Sequence, residues 1–219
     1  MVSNCPAFCA QDVAEHTIGL MLHATRLASS AERDIRQGIY NPTTYKGKQL
    51  KGTKLGLIGY GSIGKIVAQI AQDAFRMSIS FVNTKTSRTQ FEKVLTDSDV
   101  IIITLPLNNS TNRIIGNKEF ALMKQGVIVI NTGRGAVIDE NALIEALKSG
   151  KIFTAGLDVL SQEPMDKNNP LFTFPNVTIT PHIAFNTESS RVNRSKMATD
   201  NIIAFLVGKP QNVVVNNLI

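Results

Sequence analysis

Three residues of this 219-residue chain stand just beyond the ends of apolar runs and could act on one small molecule: Arg134 after 127–130, Glu163 after 153–157 and His182 after 177–180. A guanidinium presents a planar fork that can grip a carboxylate and polarise the carbonyl beside it. An imidazole changes charge near neutrality and so can pass a proton. A carboxylate can pair with that imidazole and fix its orientation. Together these groups meet the needs of hydride transfer at the 2-carbon of a 2-oxo acid, provided a hydride carrier is bound nearby. Each also has a plainer reading alone, a surface ion pair for Arg134 and Glu163 and a structural loop residue for His182.

The place for a carrier is Gly59-Tyr60-Gly61-Ser62-Ile63-Gly64, between a strand-like run at 54–58 and a helix-like run at 63–75. A strand-to-helix turn that cradles a pyrophosphate needs bare backbone. Gly59 makes the tight turn, Gly61 admits the phosphates, Gly64 lets the helix lie close to the strand, and the helix N-terminus supplies free N–H groups. Gly59 and Gly64-Lys65 also match the spacing of a P-loop, but Ile66 stands where a magnesium-binding hydroxyl is required, which argues against a nucleotide hydrolase. About 20 residues further on, an acidic side chain would hold the adenine ribose. Here the run is Asn83-Thr84-Lys85, followed by Ser87 and Arg88. An uncharged Asn with basic neighbours leaves NAD and NADP both open. Asp158, directly after an apolar strand, could accept from a nicotinamide carboxamide, or could simply cap a turn.

These segments need a frame that brings strand ends together. Strand-like runs fall at 54–58, 79–82, 100–104, 127–130, 153–157 and 177–180, with helical stretches at 63–75, 90–96, 117–124 and 140–149. Asp139 and Gly150 bracket the last of these as N-cap and C′ residues. Wholly apolar strands such as Val100-Ile101-Ile102-Ile103 belong inside a parallel sheet covered on both faces. The alternation predicts an α/β, doubly wound parallel sheet with further helices at both ends of the chain. One long helix is expected from 11 to about 29, continued by a more polar turn to 37, and a last helix from 188 to 207. His16 and His23 lie on the first helix and read as packing or surface residues. The expected division is a lead-in segment at 1–10, a cofactor-binding domain at 11–187, and a C-terminal helix and tail at 188–219.

With 23 basic and 17 acidic residues the formal charge is +6, which suits an anionic cofactor and acidic substrates. The basic residues are scattered, without the interleaved aromatics of a nucleic-acid surface, so no nucleic-acid partner is expected. No apolar run has the length of a membrane span. Cys5 and Cys9 have no further cysteines or histidine cluster to complete a metal site and read as reduced, cytosolic thiols, consistent with a cytoplasmic protein.

The pattern closely resembles the D-isomer-specific 2-hydroxyacid dehydrogenases, the group of the D-lactate, D-glycerate, hydroxypyruvate and phosphoglycerate enzymes. The resemblance is carried by Val13-Ala14-Glu15-His16, Leu55-Gly56-Leu57-Ile58-Gly59, the stretch 99–107 with Ile115-Gly116, and Ile130-Asn131-Thr132-Gly133-Arg134-Gly135. Ala155-Gly156-Leu157-Asp158-Val159 and Thr180-Pro181-His182-Ile183-Ala184 complete it. It implies a Rossmann-type fold, with Arg134, Glu163 and His182 as the catalytic trio. NAD or NADP would bind along Gly59, Tyr60, Gly61, Ser62, Ile63, Gly64, Asn83, Thr84, Lys85, Arg88, Leu105, Pro106, Thr111, Thr132, Gly133, Asp158 and Ala184. It also implies a homodimer formed through the cofactor domains. Thr104 stands where the family often has histidine, and Tyr40 and Phe185 where tryptophans are frequent. Members of the family carry a substrate domain ahead of this region, against which the last helix packs. Exposed apolar faces are therefore expected on the first and last helices, and they would favour self-association. The rival reading is a cofactor-sensing or interaction module on the same fold, without turnover.

Overall fold

The computed structural model describes residues 1–215. A two-residue strand, β1 (Val2–Ser3), leads into helices α1 (Ala10–Thr25) and α2 (Ala28–Arg36). Strands and helices then alternate through β2 (Lys54–Ile58), α3 (Ser62–Phe75), β3 (Ser78–Val82), α4 (Arg88–Asp97), β4 (Val100–Ile103), α5 (Asn117–Leu122), β5 (Val127–Asn131), α6 (Glu140–Lys148), β6 (Ile152–Leu157) and β7 (Val177–Ile179). Helix α7 (Glu188–Leu206) and strand β8 (Val213–Val215) end the described chain. Strands β2 to β7 form one sheet in the order β3-β2-β4-β5-β6-β7, every pair parallel.

The apolar runs build the expected two-sided core. Because strand side chains alternate between faces, Ile101, Ile103 and Val129 join Phe91, Leu95, Phe120 and Leu143 beneath α4, α5 and α6. Leu55, Leu57, Ile102 and Ile130 join Met21, Val67 and Ala71 beneath α1 and α3. Helix starts are set by side-chain caps: Ser87 Oγ accepts from the Gln90 N–H, Asp139 Oδ1 from the Asn141 and Ala142 N–H groups, and Thr187 Oγ1 from the Ser190 N–H.

Several expectations are corrected. The first long helix breaks at Leu27, whose φ of 53° turns the chain before α2 begins. Helical periodicity runs through this point because the residues on both sides are good helix formers. Helix α1 does not show the exposed apolar face anticipated for it: Val13, Ala14, Ile18, Leu20, Met21 and Ala24 are all buried, because it lies over the sheet beside α3. The expectation holds for α7, where Val192, Ile202, Phe205 and Leu206 are more than half exposed. A contact that local pattern does not show joins the two ends: β1 pairs antiparallel with β8, and Asn201 Nδ2 donates to the Asn4 carbonyl. So short a strand has no readable period, and its partner is at the far end of the chain. Residues 216–219 of the expected C-terminal segment lie outside the described residues.

Ile102 is fully buried at the centre of the sheet. Replacing it with alanine is expected to lower stability by about 3 kcal/mol, measured by urea unfolding as a lower midpoint at unchanged slope. A loss under about 1 kcal/mol would contradict a sheet packed on both faces.

Candidate active site

All six strands point the same way, so the loops after them share one edge. Connections from β2 go to β3 on one side, and the chain then returns to place β4 on the other side of β2. The glycine loop therefore sits where strand order reverses, the place where open α/β sheets form their binding crevice. Gly59 has φ +111°, and a Cβ there would lie 2.9 Å from Thr104 Oγ1. That hydroxyl donates to the Gly59 carbonyl at 2.9 Å, tying the loop after β2 to the end of β4. Around Gly61 the space is open for 4 Å, and α3 begins there with no side-chain cap. Its first N–H groups and positive dipole end are thus presented to an anion, as a dinucleotide pyrophosphate requires. Tyr60, inside the loop, stacks on Phe81 of β3 with ring centroids 3.9 Å apart.

Opposite this loop, the turn after β5 is built by Asn131. Its Oδ1 accepts from the Gly133 N–H at 3.0 Å, and its Nδ2 donates to the Arg134 carbonyl at 3.1 Å. A Cβ on Gly133 would strike the Leu105 carbonyl at 2.6 Å, so the 105–106 and 132–133 backbones can lie side by side only with glycine there. Thr132 Oγ1 is 2.7 Å from Thr17 Oγ1 of α1. Thr111 donates its hydroxyl to the Pro106 carbonyl at 2.7 Å, so it shapes the loop after β4 from within.

In the turn after β3, where the sequence places the ribose contacts as an expectation, Asn83 Oδ1 accepts from the Lys85 N–H and the Thr86 hydroxyl. Arg88 is already engaged: Nε donates to Glu92 and Nη2 to Glu119, each at 2.7 Å. Burial pushes the Glu119 carboxyl up, but the Arg88 guanidinium and the Gly116 N–H outweigh it and hold the group below the ordinary carboxylate range. Thr84 and Lys85 are exposed, and Lys85 has no ion-pair partner among the described residues.

The expected trio sits on loops after three adjacent strands, β5, β6 and β7. Glu163 Oε2 and His182 Nδ1 are 2.6 Å apart, both about one-third exposed. Arg134 is exposed on the neighbouring loop; its Nη1 donates to the Gly133 carbonyl at 2.7 Å, and it contacts neither of the other two in this structure.

His182 has a left-handed φ of 54°, unusual for a residue with a side chain. Asp158 holds the loop in that shape. Its carbonyl accepts from the His182 N–H at 2.8 Å, its Oδ1 from the Thr180 hydroxyl at 2.6 Å and the Ile183 N–H at 3.0 Å, and its Oδ2 from the Ala184 N–H at 3.0 Å. The Asp158 side chain is 1% exposed, so the carboxylate expected to meet the nicotinamide faces inward here. His16 Nε2 completes the group, 3.1 Å from Thr180 Oγ1 and 3.4 Å from Asp158 Oδ1. Burial pushes the Asp158 carboxyl up, but hydrogen bonds from His16, Thr180, Ala184 and Ile183 outweigh it and lower its pKa. From the sequence His16 is expected to be a packing or surface residue, and Thr180 enters only as part of the 180–184 signature. The available signal was a polar residue on the same helical face as Val13 and Leu20.

The match to known proteins decides what this arrangement belongs to: residues 18–184 fit the NAD binding domain of the D-isomer specific 2-hydroxyacid dehydrogenases. The chain belongs to that family. Its members are oxidoreductases of 2-hydroxy acids, and the cofactor of this domain is NAD or NADP. The glyoxylate reductase of Aeropyrum pernix is 38% identical, over 97% of this chain and 69% of that enzyme. An acyclic imino acid reductase solved with NADPH and D-Arg superposes with a TM-score of 0.89 at 34% identity, over 98% of this chain and 71% of that one. The D-lactate dehydrogenase of Lactobacillus jensenii, solved with NAD+, gives 0.85 at 31%, over 99% and 72%. Among the described residues of this dehydrogenase domain, no cluster of His, Cys, Asp and Glu could hold a metal ion, and no helix is long and apolar enough to cross a membrane.

Asp158→Ala strands one hydroxyl and two N–H groups and is expected to cost about 3 kcal/mol in urea unfolding, near 1 kcal/mol for each lost partner. Because the folded carboxyl titrates below the unfolded one, its contribution is complete above about pH 4 and fades as pH falls through the folded value. The variant should therefore lose less stability than wild type between about pH 4 and pH 2. An equal acid slope in both would show that Asp158 is not held ionised.

Proposed function

We propose that this chain interconverts a small D-2-hydroxy acid and its 2-oxo acid with NAD or NADP, using Arg134, His182 and Glu163. The glycine loop, 59–64, would hold a nicotinamide cofactor, which would supply or take up the hydride at C2. Arg134 pairs with the substrate carboxylate and draws electron density from the C2 carbonyl. Glu163 occupies His182 Nδ1, which leaves Nε2 to give a proton to the carbonyl oxygen in reduction and to recover it in oxidation. The observation that carries this reading is the 2.6 Å contact between Glu163 and His182, on a loop edge shared with Arg134 and the glycine turn. Glyoxylate and hydroxypyruvate are the first substrates to test, given the kinship with glyoxylate reductases.

The cofactor contacts proposed are the backbone of 59–64, Leu105, Pro106, Thr132, Gly133 and the Ala184 region, with Thr84 and Lys85 at the ribose. With Arg88 held by two carboxylates, Lys85 is the cation left to meet a 2′-phosphate. The division into residues 1–10, 11–187 and 188–219 is also proposed. It is supported by the solvent-facing apolar side of α7, which suits packing against a substrate domain. We place the protein in the cytoplasm as a homodimer; the two free cysteines suit a reducing compartment, and light scattering of the purified chain tests the dimer.

His182→Ala is expected to lower kcat for glyoxylate reduction by at least about 100-fold, with cofactor affinity retained in a calorimetric titration. Arg134→Ala should raise KM through the lost carboxylate contact and lower kcat through the lost polarisation of the carbonyl. Cofactor binding with no turnover in the wild-type chain would favour the sensor reading instead. Lys85→Ala should weaken NADPH binding by about tenfold, roughly 1.4 kcal/mol, and leave NADH unchanged. Equal weakening of both would move Lys85 to a part of the cofactor they share.

A further inference from the structure

We propose that His16 is a positioning residue for the acid–base histidine, acting through Thr180 and Asp158. The proposal rests on the role given to His182 above. Helix α1 brings the His16 ring to the start of the 180–184 loop, where Nε2 lies 3.1 Å from Thr180 Oγ1 and 3.4 Å from Asp158 Oδ1. The Thr180 hydroxyl proton is already directed to Asp158 at 2.6 Å. Both neighbours of Nε2 are therefore acceptors, so Nε2 carries a proton in either charge state of the ring. As donor it holds Thr180 at the point where β7 ends and the loop begins. It also approaches Asp158 Oδ1, the oxygen that accepts from the Thr180 hydroxyl and the Ile183 N–H.

The N–H groups of the loop it steadies depend chiefly on Asp158, while Glu163 meets the His182 ring and the Asn186 N–H the Ile183 carbonyl. Pro181 has no N–H, the His182 N–H is shared between the Asp158 and Thr180 carbonyls, and the Ile183 and Ala184 N–H groups end on the Asp158 carboxylate. Loosening Thr180 or turning the carboxylate therefore moves His182 as well. A shift of about 1 Å in a group that must meet the substrate oxygen is enough to lower a rate by up to about 100-fold. The route to His182 starts on α1, outside the strand ends that carry the trio.

The test compares His16→Ala with His16→Gln, whose amide can still donate, in the full chain. Amide exchange by NMR is read at Ile183 and Ala184 and, as a reference, at Ile102 in β4. We expect His16→Ala to speed exchange at 183 and 184 by roughly tenfold with Ile102 unchanged, and His16→Gln to stay within about threefold of wild type. In 2-oxo acid reduction, kcat of His16→Ala should fall about tenfold with KM and cofactor affinity unchanged. Unchanged protection at 183 and 184, or faster exchange across the whole sheet, would overturn the proposal. Full turnover in His182→Ala would remove the acid–base role instead, leaving the exchange data to judge the positioning. Exchange also decides the matter if the wild-type chain shows no turnover.

Discussion

A sheet whose strands all run one way must cross back over a face after every strand, and each crossing needs apolar cover. In this chain that requirement sets both the composition of β4 and β5, buried from end to end, and the location of the chemistry. All the strand carboxyl ends meet at one edge, so residues separated by a hundred positions arrive together without any direct sequence link. The reversal of strand order beside β2 opens a crevice at that edge. Backbone N–H groups at the start of α3 open onto it, the place proposed for the anionic cofactor.

Within that frame, loops are fixed by short polar ties between neighbouring strand ends. Thr104 reaches from β4 to the Gly59 carbonyl, Asn131 shapes the turn bearing Arg134, and Asp158 gathers three successive N–H groups and a hydroxyl around His182. Each tie is largely shielded from water, where an unmet partner is expensive. The side chains of Arg134, Glu163 and His182 are exposed or part-exposed, as the role proposed for them requires. Rigidity is thus supplied by buried neighbours and chemistry by exposed ones.

Much of this was legible in the order of residues. Alternating apolar runs located all six strands of the main sheet to within a residue or so at each end, since burial on both faces permits little else there. The glycine spacing marked the turn after β2, and residue types beyond other strand ends marked Arg134, Glu163 and His182. What stayed hidden depended on partners far away in sequence. The inward face of Asp158, the approach of His16 to Thr180, the engagement of Arg88 by Glu119 and the β1–β8 pairing all join segments that local pattern cannot connect.

The sequence by itself determined the class of the sheet, the glycine turn after β2 and the residue types proposed for proton transfer and carboxylate binding. Periodicity and bare glycine backbone are local properties, so the order of residues contains them. Only the tertiary structure decided which of these groups are free and which are spent. Arg88 and Asp158 look available on a linear reading, yet one is held by two carboxylates and the other is closed in by the loop it supports. The physical reason is that a hydrogen-bonding group has few partners to give, and which ones it takes is settled by packing α1, α5 and the β7 loop against the same sheet edge.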